Sequence, residues 1–132
     1  MASATPPPFV HFPSAATTFS PPLIANDNAF LGDVASSGTS SLKHLQPCPD
    51  DTAPISAGFY RQEKGTPLVY TYTYHEMKIV VDGEFDISDQ NGQKVHAVRG
   101  DVLYFPKGST ITFTSPTFGL GFFCGQRKEG GA

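Results

Sequence analysis

Five polar-tipped side chains stand at alternate positions in one short stretch: Tyr70, Tyr72, Tyr74, Glu76 and Lys78. On an extended chain successive side chains point to opposite faces, so these five share one face. Thr71, Thr73, His75, Met77 and Ile79 share the other. A carboxyl withdrawn from water is pushed toward neutral pKa, which suits Glu76 to act as general acid or base at pH 7. Tyr70, Tyr72 and Tyr74 can donate hydrogen bonds to a developing oxyanion or enolate. Lys78 can neutralise a substrate carboxylate or pair with Glu76. Such a set fits elimination, isomerisation or decarboxylation of a small oxygenated metabolite. The same residues also allow a structural role, with Glu76 and Lys78 as an ion pair at a barrel mouth and the tyrosines as core packing with satisfied hydroxyls.

A transition metal fits these residues poorly. First-row metals want imidazole, carboxylate or thiolate donors that converge. Neutral phenols are weak ligands at pH 7, and one carboxylate does not hold zinc or iron. His75 neighbours Glu76 and so points to the opposite face unless a bulge intervenes. His96 remains a candidate for the pocket, whereas His11 and His44 read as surface or loop residues. The expectation is no bound metal and no cofactor. The alternative is a metal-dependent protein in which His96 and Glu76 converge.

The elements that must position this set are strands. The chain has 132 residues, which favours one domain with one sizeable core. Eleven Phe and five Tyr supply the apolar area. Residues 1–25 are rich in Pro, and "TPPPF" and "SPPLI" cannot be helix interiors. They read as an extended arm whose Phe9, Val10, Phe12, Phe19, Leu23 and Ile24 dock on a barrel or a partner. Residues 26–54 hold a first strand at "NAFLGDVASSG" and then a Ser-, Pro- and Asp-rich loop. Residues 55–125 carry short strands about every ten residues, and 126–132 form a polar tail. "LVYTYTYHEMKIVV" reads as one long strand. Asp82-Gly83 is expected to break it before "EFDIS", and Asn91-Gly92 marks a hairpin. At least seven strands and no helical period argue for an all-β sandwich or barrel.

Two of these segments resemble the paired motifs of the cupin superfamily, double-stranded β-helix (jelly-roll) barrels. Glu76 and Gly83 have the spacing of the first motif. Gly100, Pro106 and Gly108 have that of the second. The resemblance covers residues 55–125. It implies that the Tyr70–Lys78 face looks into the barrel, with Ile111 and Phe113 beside it as an apolar wall. It also implies that the usual metal-ligand positions fall at Tyr70, Tyr72, Glu76 and Ile111, of which only Glu76 is a ligand type. Aromatics ahead of the Glu and the "PKGSTITF" stretch are similar to the ethanolamine-utilisation (EutQ-like) cupin branch and its short fungal relatives, a branch thought to lack the usual metal site. A nucleotide-dependent kinase activity has been proposed there. No Gly-x4-Gly-Lys-Ser/Thr loop occurs in this chain to support it.

The expectation is therefore a metal-independent lyase or isomerase acting on a small organic acid or carbonyl compound. Glu76, Tyr72 and Tyr70 would be its catalytic groups, with Tyr74, Lys78, Ile111, Phe113 and His96 lining the pocket. The alternative from another class is a non-catalytic protein that binds a small molecule in the same pocket. The outer face carries Val69, Met77, Ile79 and Val81, and cupins commonly pair by sheet packing, so a homodimer is expected. A net charge of -3 and pI near 5.7 give no footprint for nucleic acid. The N-terminus has no basic region followed by an apolar run, and no apolar stretch reaches the roughly 18 residues of a membrane helix. Cys48 and Cys124, far apart and outside any Cys-x-x-Cys, read as free thiols. A cytoplasmic protein with no nucleic-acid or membrane partner is the resulting expectation.

Overall fold

The computed structural model describes residues 8–38 and 52–132. His44 and Cys48 lie outside the described residues, as does most of the Ser- and Pro-rich loop. The strands are β1 (Leu23–Ala25), β2 (Ala29–Ser36), β3 (Ser56–Glu63), β4 (Leu68–Thr71) and β5 (Glu76–Asp89), followed by β6 (Lys94–Val98), β7 (Val102–Phe105), β8 (Thr110–Thr114) and β9 (Phe118–Gly125). A single helical turn, α1 (Ala15–Thr18), precedes them. The sequence contains no signal for it; within it the Thr17 and Thr18 hydroxyls donate to the Ser14 carbonyl.

All strand pairs are antiparallel. One sheet runs β1, β2, β3, β9 and the first half of β5, with β7 beside it. The other runs β4, β8 and the second half of β5, with β6 beside it. The two sheets therefore share β5, which turns the corner of a roll. The expected break at Asp82-Gly83 does not occur. Instead the register slips between Val80 and Asp82, and the strand bends without ending. Gly83 makes the bend possible with φ at 67°. A Cβ there would stand 2.2 Å from the Phe118 carbonyl oxygen.

The core fills the space between the two sheets. Tyr60, Val80, Phe105 and Phe123 enter from one side, and Phe85, Ile87, Ala97, Ile111 and Phe113 from the other. Tyr60 stacks on Phe85 at 5.7 Å between ring centres, and Phe113 meets Tyr60 edge-on at 5.2 Å. Hairpin β5–β6 closes at Asn91-Gly92, where Gly92 has φ of 86° and the Asp89 carboxylate accepts from the backbone N–H of Asn91 and Gln93. Ahead of β1, Phe19 packs over Phe59 and over Gly32, where a Cβ would meet its ring at 2.8 Å. Phe9, Phe12 and Leu23 stay exposed.

The stretch expected to be one long strand is two. β4 pairs with β8 in one sheet, and β5 begins by pairing with β7 and β9 in the other. Residues 72–75 make the crossing. The Tyr72 N–H donates to the Ser109 carbonyl, and the Tyr72 carbonyl accepts from the Gly108 N–H, so the crossing leaves these groups satisfied. Alternation nevertheless survives it. Tyr72, Tyr74, Glu76 and Lys78 are all buried, and Thr71, Thr73, His75, Met77 and Ile79 are all exposed.

Candidate functional site

The crossing and the first turn of β5 deliver the inward set to one cavity of about 400 Å³. Tyr70, Tyr72, Tyr74, Glu76, Lys78 and Phe113 line it from one side. Tyr60 on β3 and Leu31 and Asp33 on β2 line it as well. Ile24 and Gly130 stand at its edge.

Glu76 organises the polar groups. Tyr72 Oη donates to Glu76 Oε2 at 2.7 Å, and Lys78 Nζ lies 3.3 Å from the same oxygen. Both charged side chains are only 2% exposed. Charges so far from water need partners. Lys78 finds three more in aromatic faces, with Nζ 4.6 Å from the Tyr60 ring centre, 4.7 Å from Phe113 and 5.4 Å from Phe105. Its stem runs past Gly121, where a Cβ would come within 2.9 Å of Lys78 Cδ. The Tyr70 and Tyr74 hydroxyls lie 3.0 Å apart, and Tyr60 Oη donates to Gln62 Oε1.

Burial pushes the Tyr72 phenol well above its usual range, and the Glu76 charge and hydrogen bond push it the same way. Tyr60 is raised by burial and then by Glu76. Tyr74 is raised by burial and then by its hydrogen bond with Tyr70. These phenols stay proton donors in the folded protein. Lys78 moves the other way: burial lowers its pKa, and the attraction of Glu76 opposes that only in part.

These shifts set the alkaline limit of the fold. The folded state holds Tyr60, Tyr72 and Tyr74 neutral above pH 10, where the unfolded chain would ionise them. Their contribution is complete below pH 10 and is lost as pH rises beyond it. Lys78 has the opposite sign, because its burial penalty is relieved as pH climbs toward the ordinary lysine value. Tyr60, Tyr72 and Tyr74 should ionise only as the protein unfolds. Phenolate absorbance from these three side chains should therefore rise together with the loss of circular dichroism. Ionisation of Tyr60, Tyr72 and Tyr74 with circular dichroism unchanged would contradict the burial.

Two expected pocket residues lie elsewhere. Ile111 is buried in the core as the cross-strand partner of Tyr70. It lines a separate depression with Leu103 and Phe105. His96 sits on the exposed side of β6. Its Nδ1 is 2.6 Å from Asp86 and its Nε2 3.1 Å from Glu84. The Asp86 hydrogen bond raises its pKa. His96 and Glu76 do not converge, since the one points out of the roll and the other into it. His75 also faces out and accepts from Tyr104 Oη through Nδ1.

Among the described residues no three His, Cys, Asp or Glu side chains gather to hold a metal ion. The cupin ligand positions at Tyr70, Tyr72 and Ile111 offer two phenols and an alkyl group. They do not fit a histidine-ligated metal.

Sequence reasoning missed Tyr60, Asp33 and Arg127. Tyr60 shares an inward face with Gly58 and Gln62 on β3, and that alternation was its available signal. Arg127 stood in a stretch read as polar tail. It is buried, with its guanidinium bidentate on Asp33 at 2.7 and 3.0 Å, and the Gly130 N–H donates to the same carboxylate. Burial alone would lower the Arg127 pKa, but the Asp33 bonds more than offset this and raise it. No local pattern distinguishes such an arginine from a solvated one. Cys124 is a half-buried free thiol on β9. No helix among the described residues is long and apolar enough to cross a membrane.

The model of the family described as ethanolamine utilisation protein EutQ matches residues 36–122. The chain is 38% identical over 64 residues to a relative from Escherichia coli (strain K12) named acetate kinase EutQ, covering 48% of this chain and 27% of that protein. The EutQ protein of Clostridium difficile superposes with a TM-score of 0.57 at 25% identity, covering 75% of this chain and 68% of that one. An RmlC-like cupin from Methanocaldococcus jannaschii, at 11% identity and a TM-score of 0.52 over 60% of this chain and 75% of that one, shares the double-stranded β-helix fold. The match spans about a quarter of the E. coli relative's length.

Proposed function

The chain belongs to the EutQ family of ethanolamine utilisation proteins, with the cupin double-stranded β-helix fold, and from that premise we propose that it is a metal-independent acid–base enzyme. It acts as a lyase or isomerase on a small organic acid or carbonyl compound held in the Glu76 cavity. The single observation that carries this reading is the chain of proton-bearing groups Tyr72–Glu76–Lys78, buried yet lining a cavity of about 400 Å³. Glu76 takes or returns the proton on carbon. Tyr72, held as a neutral phenol, turns its one O–H from Glu76 to the substrate oxygen as negative charge moves from the carboxylate to that oxygen. Lys78 reaches the same cavity beside them. Aromatic walls keep water from competing.

The test is exchange of carbon-bound protons for deuterium in D2O, followed by NMR across a panel of small hydroxy, oxo and dicarboxylic acids and aldehydes. At least one should exchange with the wild type. Glu76→Gln, verified as folded, should slow that exchange by about two orders of magnitude or more. No exchange with any member, or exchange unaffected by the Gln variant, rejects the catalytic role and leaves a binding protein. The name of the E. coli relative, acetate kinase, supplies a second reading, phosphoryl transfer to a small carboxylate. Transfer from ATP to acetate by this chain, indifferent to Glu76→Gln, would replace the acid–base reading.

We also propose a homodimer through the outer face of the β5–β7–β9 sheet. Met77, Ile79, Val102, Tyr104 and Phe122 are 58, 38, 70, 53 and 37% exposed there. They adjoin one another in register as Met77 with Tyr104, Ile79 with Val102 and Ile79 with Phe122. An apolar surface of this kind marks an interaction site, and a two-fold pairing buries it on both copies. Val102→Asp should convert the dimer to monomer in analytical ultracentrifugation. A wild type that is monomeric at all concentrations would end this proposal.

A further inference from the structure

We propose that Lys78 is a nucleophile, whose amine condenses with the carbonyl of a small aldehyde or 2-oxo acid in the Glu76 cavity to give an imine. The proposal rests on the acid–base reading of this cavity and assigns it a substrate class.

Four observations support it. Lys78 reaches the cavity that holds Glu76, Tyr70 and Tyr72, whereas Lys64, Lys94, Lys107 and Lys128 are all exposed to solvent. Gly121 leaves the space its stem occupies, since a Cβ there would stand 2.9 Å from Lys78 Cδ. The Tyr60, Phe105 and Phe113 rings replace water around Nζ. A carboxylate oxygen stands 3.3 Å away to receive the ammonium proton. An amine is nucleophilic only when unprotonated, and a desolvated lysine is the recognised way to reach that form near neutral pH. The lowered pKa of Lys78 agrees with this arrangement.

The step balances without any further reagent. Glu76 accepts a proton from the Lys78 ammonium. The freed nitrogen lone pair forms a bond to the carbonyl carbon, and the C=O π electrons move to oxygen. The proton held by Glu76 passes to that oxygen, directly or through the Tyr72 hydroxyl. A second proton, from the nitrogen, reaches it by the same route. The C–O bond then breaks, water leaves, and the nitrogen lone pair forms the C=N bond of a protonated imine. Net, ammonium plus carbonyl gives iminium plus water. The cationic nitrogen then acidifies the adjacent C–H or weakens a C–C bond, which is what a lyase or isomerase of a carbonyl compound requires.

The experiment is reductive trapping on the intact chain. Pyruvate and, separately, propanal are incubated with protein at neutral pH, borohydride is added, and modified lysines are mapped by peptide mass spectrometry. Lys78 should be labelled at least about tenfold more than any surface lysine. Glu76→Gln should lower Lys78 labelling by a similar factor and leave surface labelling unchanged. Lys78→Arg serves as the mapping control, with folding checked by circular dichroism. Labelling of Lys78 no greater than that of Lys64, Lys94, Lys107 or Lys128 with both probes overturns the proposal. If Lys78 is unlabelled while Glu76-dependent deuterium exchange persists, the imine is wrong and the acid–base reading stands. If Lys78 is labelled but no exchange occurs, the nucleophile stands and the proton-transfer reading falls.

Discussion

Glu76→Ala should lower the stability of the folded chain by about 3–5 kcal/mol, the usual cost of removing one partner from a buried ion pair. Lys78 would keep its place among Tyr60, Phe105 and Phe113 but lose its counter-charge in a site 2% exposed. Tyr72 would lose the acceptor of its hydroxyl at the same time. Glu76→Gln combined with Lys78→Met should recover most of the loss. The pair is then neutral, the volumes are nearly kept, and an acceptor for Tyr72 remains. The two results together separate the cost of an orphaned charge from the worth of the pair, which differ. The sign with pH is also fixed. In the Ala variant the penalty comes from a protonated Lys78, so it should shrink as pH rises and the amine sheds its proton. Urea unfolding at neutral and mildly alkaline pH reads both effects. A loss under about 1 kcal/mol would place the pair among solvent-screened surface bridges and contradict its burial.

The second large effect is expected at Phe113, which is 1% exposed. Its ring meets Tyr60, Phe105 and Phe85 edge-on at 5.2, 5.5 and 6.5 Å and forms one wall around Lys78. Truncation to Ala should cost about 3–5 kcal/mol, from lost transfer energy plus the cavity left behind. Phe113→Leu should lose less than half of that, because most of the volume is retained. The Ala variant also opens space next to Nζ on the side of the existing cavity. Water entering there would bring the Lys78 pKa back toward its ordinary value. Thermal unfolding checks the first part. Reaction of Lys78 with an amine-specific label as a function of pH checks the second. An Ala variant as stable as wild type would mean that β8 and β3 collapse to close the gap.

Local pattern carried the inward-facing set because burial has the same period as the pleat. Tyr70, Tyr72, Tyr74, Glu76 and Lys78 share a face whether the chain runs straight or crosses between sheets, and they line one cavity. Phe113 came with them. The strands at β2, β3 and β6–β9 were legible for the same reason, helped by turn chemistry at Asn91-Gly92 and Pro106-Lys107-Gly108. Where pairing partners decide, the pattern was silent. Whether "LVYTYTYHEMKIVV" is one strand or two depends on β8 claiming one half and β7 and β9 the other. Asp82-Gly83 reads as a break, but pairing with β9, Asp82 with Leu120 and Gly83 with Gly119, carries the chain through the bend.

What the amino-acid sequence determined by itself was the class of fold, the alternation that gathers Tyr72, Glu76 and Lys78, and the loss of histidine ligands at Tyr70, Tyr72 and Ile111. The first two follow from residue type and from spacings within about ten residues, and the third is what the resemblance to the cupin motifs implies. The tertiary structure alone decided that Lys78 sits in a box of three rings, that Tyr60 and Asp33 complete the cavity wall, that Arg127 is buried on Asp33, and that His96 and Ile111 stand apart from Glu76. Each of those depends on which residues far apart in the chain meet and which do not. Asp33 and Arg127 are 94 positions apart, and no property of either residue alone marks the other as its partner.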